Sequence, residues 1–147
     1  MQSTYTIDVC GIQRELPLVA INDTLAYASF VVIGDTELVS HAGKILAEKV
    51  KDAEVILTAE AKGIALAYEV SRRLGMKEFI VARKSVKSYM RSYESVELES
   101  ITTTGIQHLY LDEPDAQKVR GKKICLIDWP TLFPFGYSGS CIDKKLR

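Results

Sequence analysis

The sequence predicts an α/β domain with a mainly parallel sheet flanked by helices. Three observations carry that expectation. Strand-like and helix-like segments alternate through residues 54–82 with short connections, the pattern of βαβ units. The strand-like segments are apolar runs without alternation. Ile124-Cys125-Leu126-Ile127 is the clearest of them, and such runs suit strands buried on both faces. Charged or small residues follow the first two runs, at 58–63 and 83–93, and Asp128 ends the third, ahead of a bulky, proline-broken stretch at 129–136. Open α/β sheets place ligands at that carboxyl edge.

Taken in order, residues 5–9 alternate weakly and suit a short strand. Residues 14–21 end in a second apolar run, closed by the turn-forming Asn22-Asp23-Thr24. A further strand is expected at 27–33, stopped by Gly34. Asp35 or Thr36 can then cap a helix over 37–51, because either side chain can accept from a free N–H of the first turn. Leu38, Ala42, Ile45, Leu46 and Val50 form its apolar stripe. His41, a lone histidine on this helix, reads as surface or packing. Residues 54–58 form a buried strand, and 63–74 a second helix with Leu66, Ala67, Val70 and Leu74 facing inward. Gly75 is its natural stop. Residues 78–82 make the next strand. A hairpin follows, pairing 96–101 with 107–111 and placing Glu97 and Glu99 on one face. Residues 112–123 read as a polar connection to the strand at 124–127.

Composition excludes several classes. The 147 residues suit one domain, and 19 basic against 19 acidic residues leave no net charge to attract nucleic acid. No apolar run reaches the ~20 residues of a membrane span, and residues 1–5 lack the pattern of a secretion signal. Cys10, Cys125 and Cys141 are scattered and odd in number, as reduced thiols of a cytoplasmic protein would be. With only His41 and His108 available, no zinc site is expected.

The chemistry concentrates in the three carboxyl-edge loops. Lys62 and Gly63 stand in a short strand-to-helix turn, where backbone N–H groups and a helix N-terminus favour an anion. Taken alone, that is also an ordinary tight turn. The next loop holds Arg83, Lys84, Lys87 and Arg91 with no acid, which is either a solvated arm or an anion clamp. Asp128 alone could be a simple loop cap. Together, two cationic loops and an acid at one sheet edge suit a di- or triphosphorylated small molecule with Mg2+.

Three stretches carry a family resemblance: Leu57-Thr-Ala-Glu-Ala-Lys-Gly-Ile-Ala-Leu-Ala67, Phe79-Ile-Val-Ala-Arg-Lys-Ser-Val-Lys-Ser-Tyr89 and Gly121-Lys-Lys-Ile-Cys-Leu-Ile-Asp128. They resemble type I phosphoribosyltransferases of the adenine/xanthine, purine branch, and the likeness spans residues 14–128. The resemblance implies a single phosphoribosyltransferase-like domain over 1–147. In it, 1–30 is the base-side segment, 84–104 a mobile hood loop and 129–147 an atypical tail. It implies transfer of phosphoribosyl from phosphoribosyl pyrophosphate (PRPP) to a purine base, as in purine salvage, with release of pyrophosphate. Ala61, Lys62 and Gly63 would cradle pyrophosphate, with a non-proline cis peptide at Ala61–Lys62. Arg83, Lys84 and Lys87 would meet the same group, and Asp128 would hold the ribose. Glu97 or Glu99 would match the hood acid that assists at the base. Ala20, Ile21 and Asn22 would read the base, partly through backbone atoms. Asn22 stands where adenine-specific members tend to carry Arg, which leaves the base open. Mg2+ would arrive bound to PRPP without a protein metal site, and a homodimer is implied.

The likeness stops within one residue. The family follows its apolar run with two acids, two apolar residues and a Thr-Gly-Gly phosphate loop. Here Trp129 follows Asp128, and Ser138-Gly139-Ser140 comes too late to substitute. The C-terminal part of the core is therefore expected to be missing, as a shifted reading frame or a truncation would leave it. Weak or no turnover is expected from such a chain, because the lost loop removes hydrogen bonds worth ~1.5–3 kcal/mol each. A purine- or PRPP-sensing regulatory module without catalysis is the alternative, and a plain α/β interaction domain the third reading.

Overall fold

The structure is a computed structural model and describes residues 4–22, 25–99 and 106–128. Its chain begins with an antiparallel meander of β1 (Thr4–Val9), β2 (Ile12–Ala20) and β3 (Ala26–Ala28). Cys10 and Gly11 turn β1 into β2, both at positive φ, and Gly11 N–H donates to Asp8 Oδ1 at 2.8 Å. The strand expected at 27–33 pairs only over Ala26–Ala28. Beyond it, Phe30 and Val32 are buried while Val31 and Ile33 are exposed. That alternation is strand-like, but those residues join no ladder among the described strands.

Helix α1 (Thr36–Lys49) starts at Asp35, whose side chain accepts from Leu38 N–H at 3.0 Å. The same carboxylate receives Arg14 of β2, with Nε donating at 2.6 Å, so the cap also ties the meander to the helix. Leu38, Ala42 and Ala47 face the core. At Gly43 the helix meets α2 (Ile64–Arg73) closely: an added Cβ would lie 2.5 Å from Glu69 Cγ. Glu69 is buried there and satisfied by Arg72 and Arg73 on its own helix.

The expected parallel sheet is present as three strands in the order β5-β4-β8. They are β4 (Val55–Ala59), β5 (Ile80–Ala82) and β8 (Ile124–Leu126). Leu57 pairs with Ile80 on one side and with Leu126 on the other, both in parallel register. Ile56, Thr58 and Cys125 are buried on one face, while Val55, Leu57 and Leu126 on the other are half-buried. Gly75 ends α2 at φ 71°, the left-handed stop its position predicts.

The hairpin forms from β6 (Tyr93–Glu99) and β7 (Ile106–Asp112), beginning three residues before the expected start. Arg83, just past β5, exchanges both backbone hydrogen bonds with Tyr110 at 2.8 Å, which fixes the hairpin to the edge of the parallel sheet. The connection read as polar at 112–123 contains a helix, α3 (Glu113–Val119). Asp112 caps it by accepting from Asp115 N–H at 3.0 Å, and Ala116 and Val119 are buried beneath it. No helix among the described residues is long and apolar enough to cross a membrane. The tail read as atypical, 129–147, and the hood tip at 100–105 lie outside the described residues.

Candidate anion site at the carboxyl edge of the sheet

The parallel register brings the three loops together. Glu60 N–H donates to Ala82 O at 2.9 Å and Ile127 N–H to Leu57 O at 2.8 Å, so the β4–α2 turn sits between the ends of β5 and β8. Gly63 is the N-cap of α2 and is buried in that junction. A Cβ on it would stand 2.2 Å from Thr58 Oγ1, 3.0 Å from the Ile127 carbonyl oxygen and 3.4 Å from Asp128 Cα. Glycine is needed here for space, since its φ of −78° is ordinary. Ala61 and Lys62 complete the turn, with Ile64 N–H closing onto Ala61 O at 3.3 Å. The cis peptide expected at Ala61–Lys62 lies one bond earlier, at Glu60–Ala61.

Glu60 organises the cations, and sequence reasoning left it out of the site. Its Oε2 accepts Lys84 N–H at 3.0 Å and lies 3.7 Å from Lys87 Nζ, while Oε1 lies 3.4 Å from Arg83 Nη2. The Lys84 N–H, followed by the Arg83 and Lys87 charges, holds the Glu60 carboxyl below its ordinary 4.5. Lys87 Nζ also donates to Ser85 Oγ at 2.8 Å, and a turn from Lys87 to Met90 shapes the rest of the loop. Arg83 Nε is buried with no hydrogen-bond partner among the described residues. Buried N–H groups are normally paired, so among the described residues this one is a donor with capacity left for another acceptor. In the sequence Glu60 is one more residue of the β4–α2 turn, and nothing local marks it as the partner of the cationic loop that begins at Arg83.

The other expected residues are placed elsewhere. Ala20 ends β2, and Ile21 and Asn22 form the turn into β3. Both of their N–H groups donate to Leu25 O, and Asn22 Oδ1 accepts from Leu25 N–H at 2.9 Å. This turn is on the meander, a different sheet from the cation cluster. Glu97 is exposed and pairs across the hairpin with His108; Glu99 pairs with Ile106 at the hairpin's far end. His108 stands two residues from Tyr110, so Glu97 lies about 7 Å of strand beyond the Arg83 link. The His108 and Tyr110 rings stack at 6.0 Å, and Tyr93 meets Tyr110 edge-on at 5.4 Å.

A three-stranded parallel sheet with helices, a hairpin joined to its edge and a glycine-tight turn at its carboxyl end define a type I phosphoribosyltransferase-like fold. Among solved structures, the chain is similar to the adenine phosphoribosyltransferase of Thermoanaerobacter pseudethanolicus ATCC 33223. The two are 18% identical with a TM-score of 0.56, over 76% of this chain and 64% of that one. The chain thus spans a little under two thirds of that enzyme's length. No protein-family model matches the chain, and no curated protein matches it.

Proposed function

We propose that this chain is a purine phosphoribosyltransferase-like protein whose carboxyl-edge loops bind the pyrophosphate of PRPP. The observation that carries the reading is the convergence of Arg83, Lys84 and Lys87 on the Glu60–Gly63 turn beside Asp128. In this reading 1–147 is one domain, with 1–30 on the base side, 84–104 as the hood and 129–147 as an atypical tail. The reaction is displacement of pyrophosphate from C1 of PRPP by a purine nitrogen, giving a nucleoside monophosphate. Charge accumulates on the leaving diphosphate, so pre-placed cations and helix N–H groups stabilise it most where the bond is breaking. Lys62, Gly63, Arg83, Lys84 and Lys87 hold the diphosphate and Asp128 the ribose. Ala20, Ile21 and Asn22 face the base, and Glu97 or Glu99 assists there once the hood excludes water. Mg2+, carried on the PRPP oxygens, would offset the diphosphate charge. A cytoplasmic homodimer in purine salvage completes the proposal.

The sequence after Asp128 favours a second reading, a non-catalytic purine- or PRPP-sensing module. Trp129 stands at the position of the second ribose acid, and no Thr-Gly-Gly follows. One titration separates the two. PRPP with Mg2+ is added first, then adenine, hypoxanthine, guanine or xanthine, with product analysis of each mixture. Binding with nucleotide formation is the result expected of an enzyme, and binding without product that of a sensor. The absence of binding by every ligand contradicts both.

A further inference from the structure

We infer that Glu60 is an internal counter-anion of the pyrophosphate site: it holds Arg83 and Lys87 while the site is empty and releases them to the incoming diphosphate. The inference rests on the pyrophosphate reading above and adds a residue that sets how tightly that site holds its ligand.

The three contacts of the carboxylate are unequal. Its hydrogen bond from Lys84 N–H is 3.0 Å and ordinary, so the backbone anchors it. Its ion contacts are longer, 3.4 Å to Arg83 and 3.7 Å to Lys87. Neither cation is used up by it. Lys87 Nζ gives its short bond, 2.8 Å, to Ser85 Oγ. Arg83 presents five donors in a fixed fork, and its Nε is buried without a hydrogen-bond partner among the described residues. The arrangement is a pair of cations held close by one loosely placed carboxylate, with donor capacity left for a larger anion.

The charges explain why an acid belongs there. Without Glu60, Arg83 and Lys87 would repel each other across a short loop whenever the ligand is gone. With it, the loop keeps its shape between turnovers. A diphosphate that reaches the same two cations comes close to a like charge. Between the dielectric of bulk water and that of a protein surface, a unit charge about 5 Å away weakens anion binding by between roughly fourfold and a few hundredfold, and about tenfold is expected where the site is partly open to solvent. Glu60 therefore trades affinity for release, returning to the cations as pyrophosphate departs.

Calorimetry with inorganic pyrophosphate tests this on the full chain. Glu60→Gln keeps an oxygen for Lys84 N–H and removes the charge. It should bind pyrophosphate roughly tenfold more tightly than the wild type. Glu60→Asp keeps the charge and should stay within about threefold of wild type, by the same electrostatic argument. Equal or weaker binding by Glu60→Gln, while the wild type binds, overturns the proposal and leaves the pyrophosphate site standing. Equal tightening in both variants also overturns it, because charge would not be the cause. No binding by any of the three chains overturns the site reading and this proposal with it. Should Glu60→Gln fail to fold, the wild type decides by NMR. The Glu60 carboxyl carbon must shift at saturating pyrophosphate, and an unmoved resonance refutes the exchange.

Discussion

Gly63 is the position where one atom matters most. Its missing Cβ lets the β4–α2 turn pass between Thr58 Oγ1 and the end of β8. Gly63→Ala should cost about 1–3 kcal/mol through overpacking, because the near neighbours include backbone that cannot step aside. Chemical denaturation reads this as a lower midpoint with an unchanged slope, and an unchanged midpoint would contradict the packing described. The tight turn at Gly63 was legible between strand and helix, but the close approach that requires its missing Cβ was not. Neither was Glu60. Its partners Arg83, Lys84 and Lys87 lie 23 to 27 residues further along the chain, and only the parallel register of β4 with β5 brings them together. The cis bond shows the same limit, since the resemblance located the turn and missed the peptide by one.

At the scale of elements, the Arg14–Asp35 ion pair joins β2 to the start of α1. Arg14 first, then the Leu38 N–H, holds the Asp35 carboxyl below its ordinary 3.8. A depressed carboxylate contributes stability that is fully present above the unfolded value and is lost as pH falls through the folded one. Stability should therefore decline as pH drops below about 3.8. Asp35→Asn still caps the helix, because Asn is as good an N-cap as Asp. It should cost about 1 kcal/mol at neutral pH and flatten the acid limb, as followed by thermal melting between neutral and acid pH. An acid limb identical to the wild type would show that Asp35 is not its source. The two long helices were legible because each carries several turns of apolar stripe. Helix α3 was not: seven residues with only Ala116 and Val119 buried give too short a period, although Asp112 and Pro114 mark its start. The segment after β3 misled in the opposite direction, since its alternating apolar pattern has no strand to pair with among the described residues.

Across the whole molecule, the sheet order β5-β4-β8 and the Arg83–Tyr110 link determine which loops can act together. They put the Glu60 turn, the Arg83 loop and Asp128 at one edge, while the Ala20–Asn22 turn belongs to the meander and Glu97 to the hairpin. Local periodicity could show that strands and helices alternate. The spatial order of the strands follows from long-range pairing, which no single window of sequence contains. The central claim is that this edge binds a diphosphate through Arg83 and Lys87. Its most direct test is titration of PRPP with Mg2+ into the wild type and into Arg83→Gln/Lys87→Gln at two salt concentrations. The wild type should bind, with affinity falling as salt rises. The double variant should bind at least about a hundredfold more weakly, since two charge-assisted contacts worth ~1.5–3 kcal/mol each are gone. Equal binding by both chains would contradict the claim.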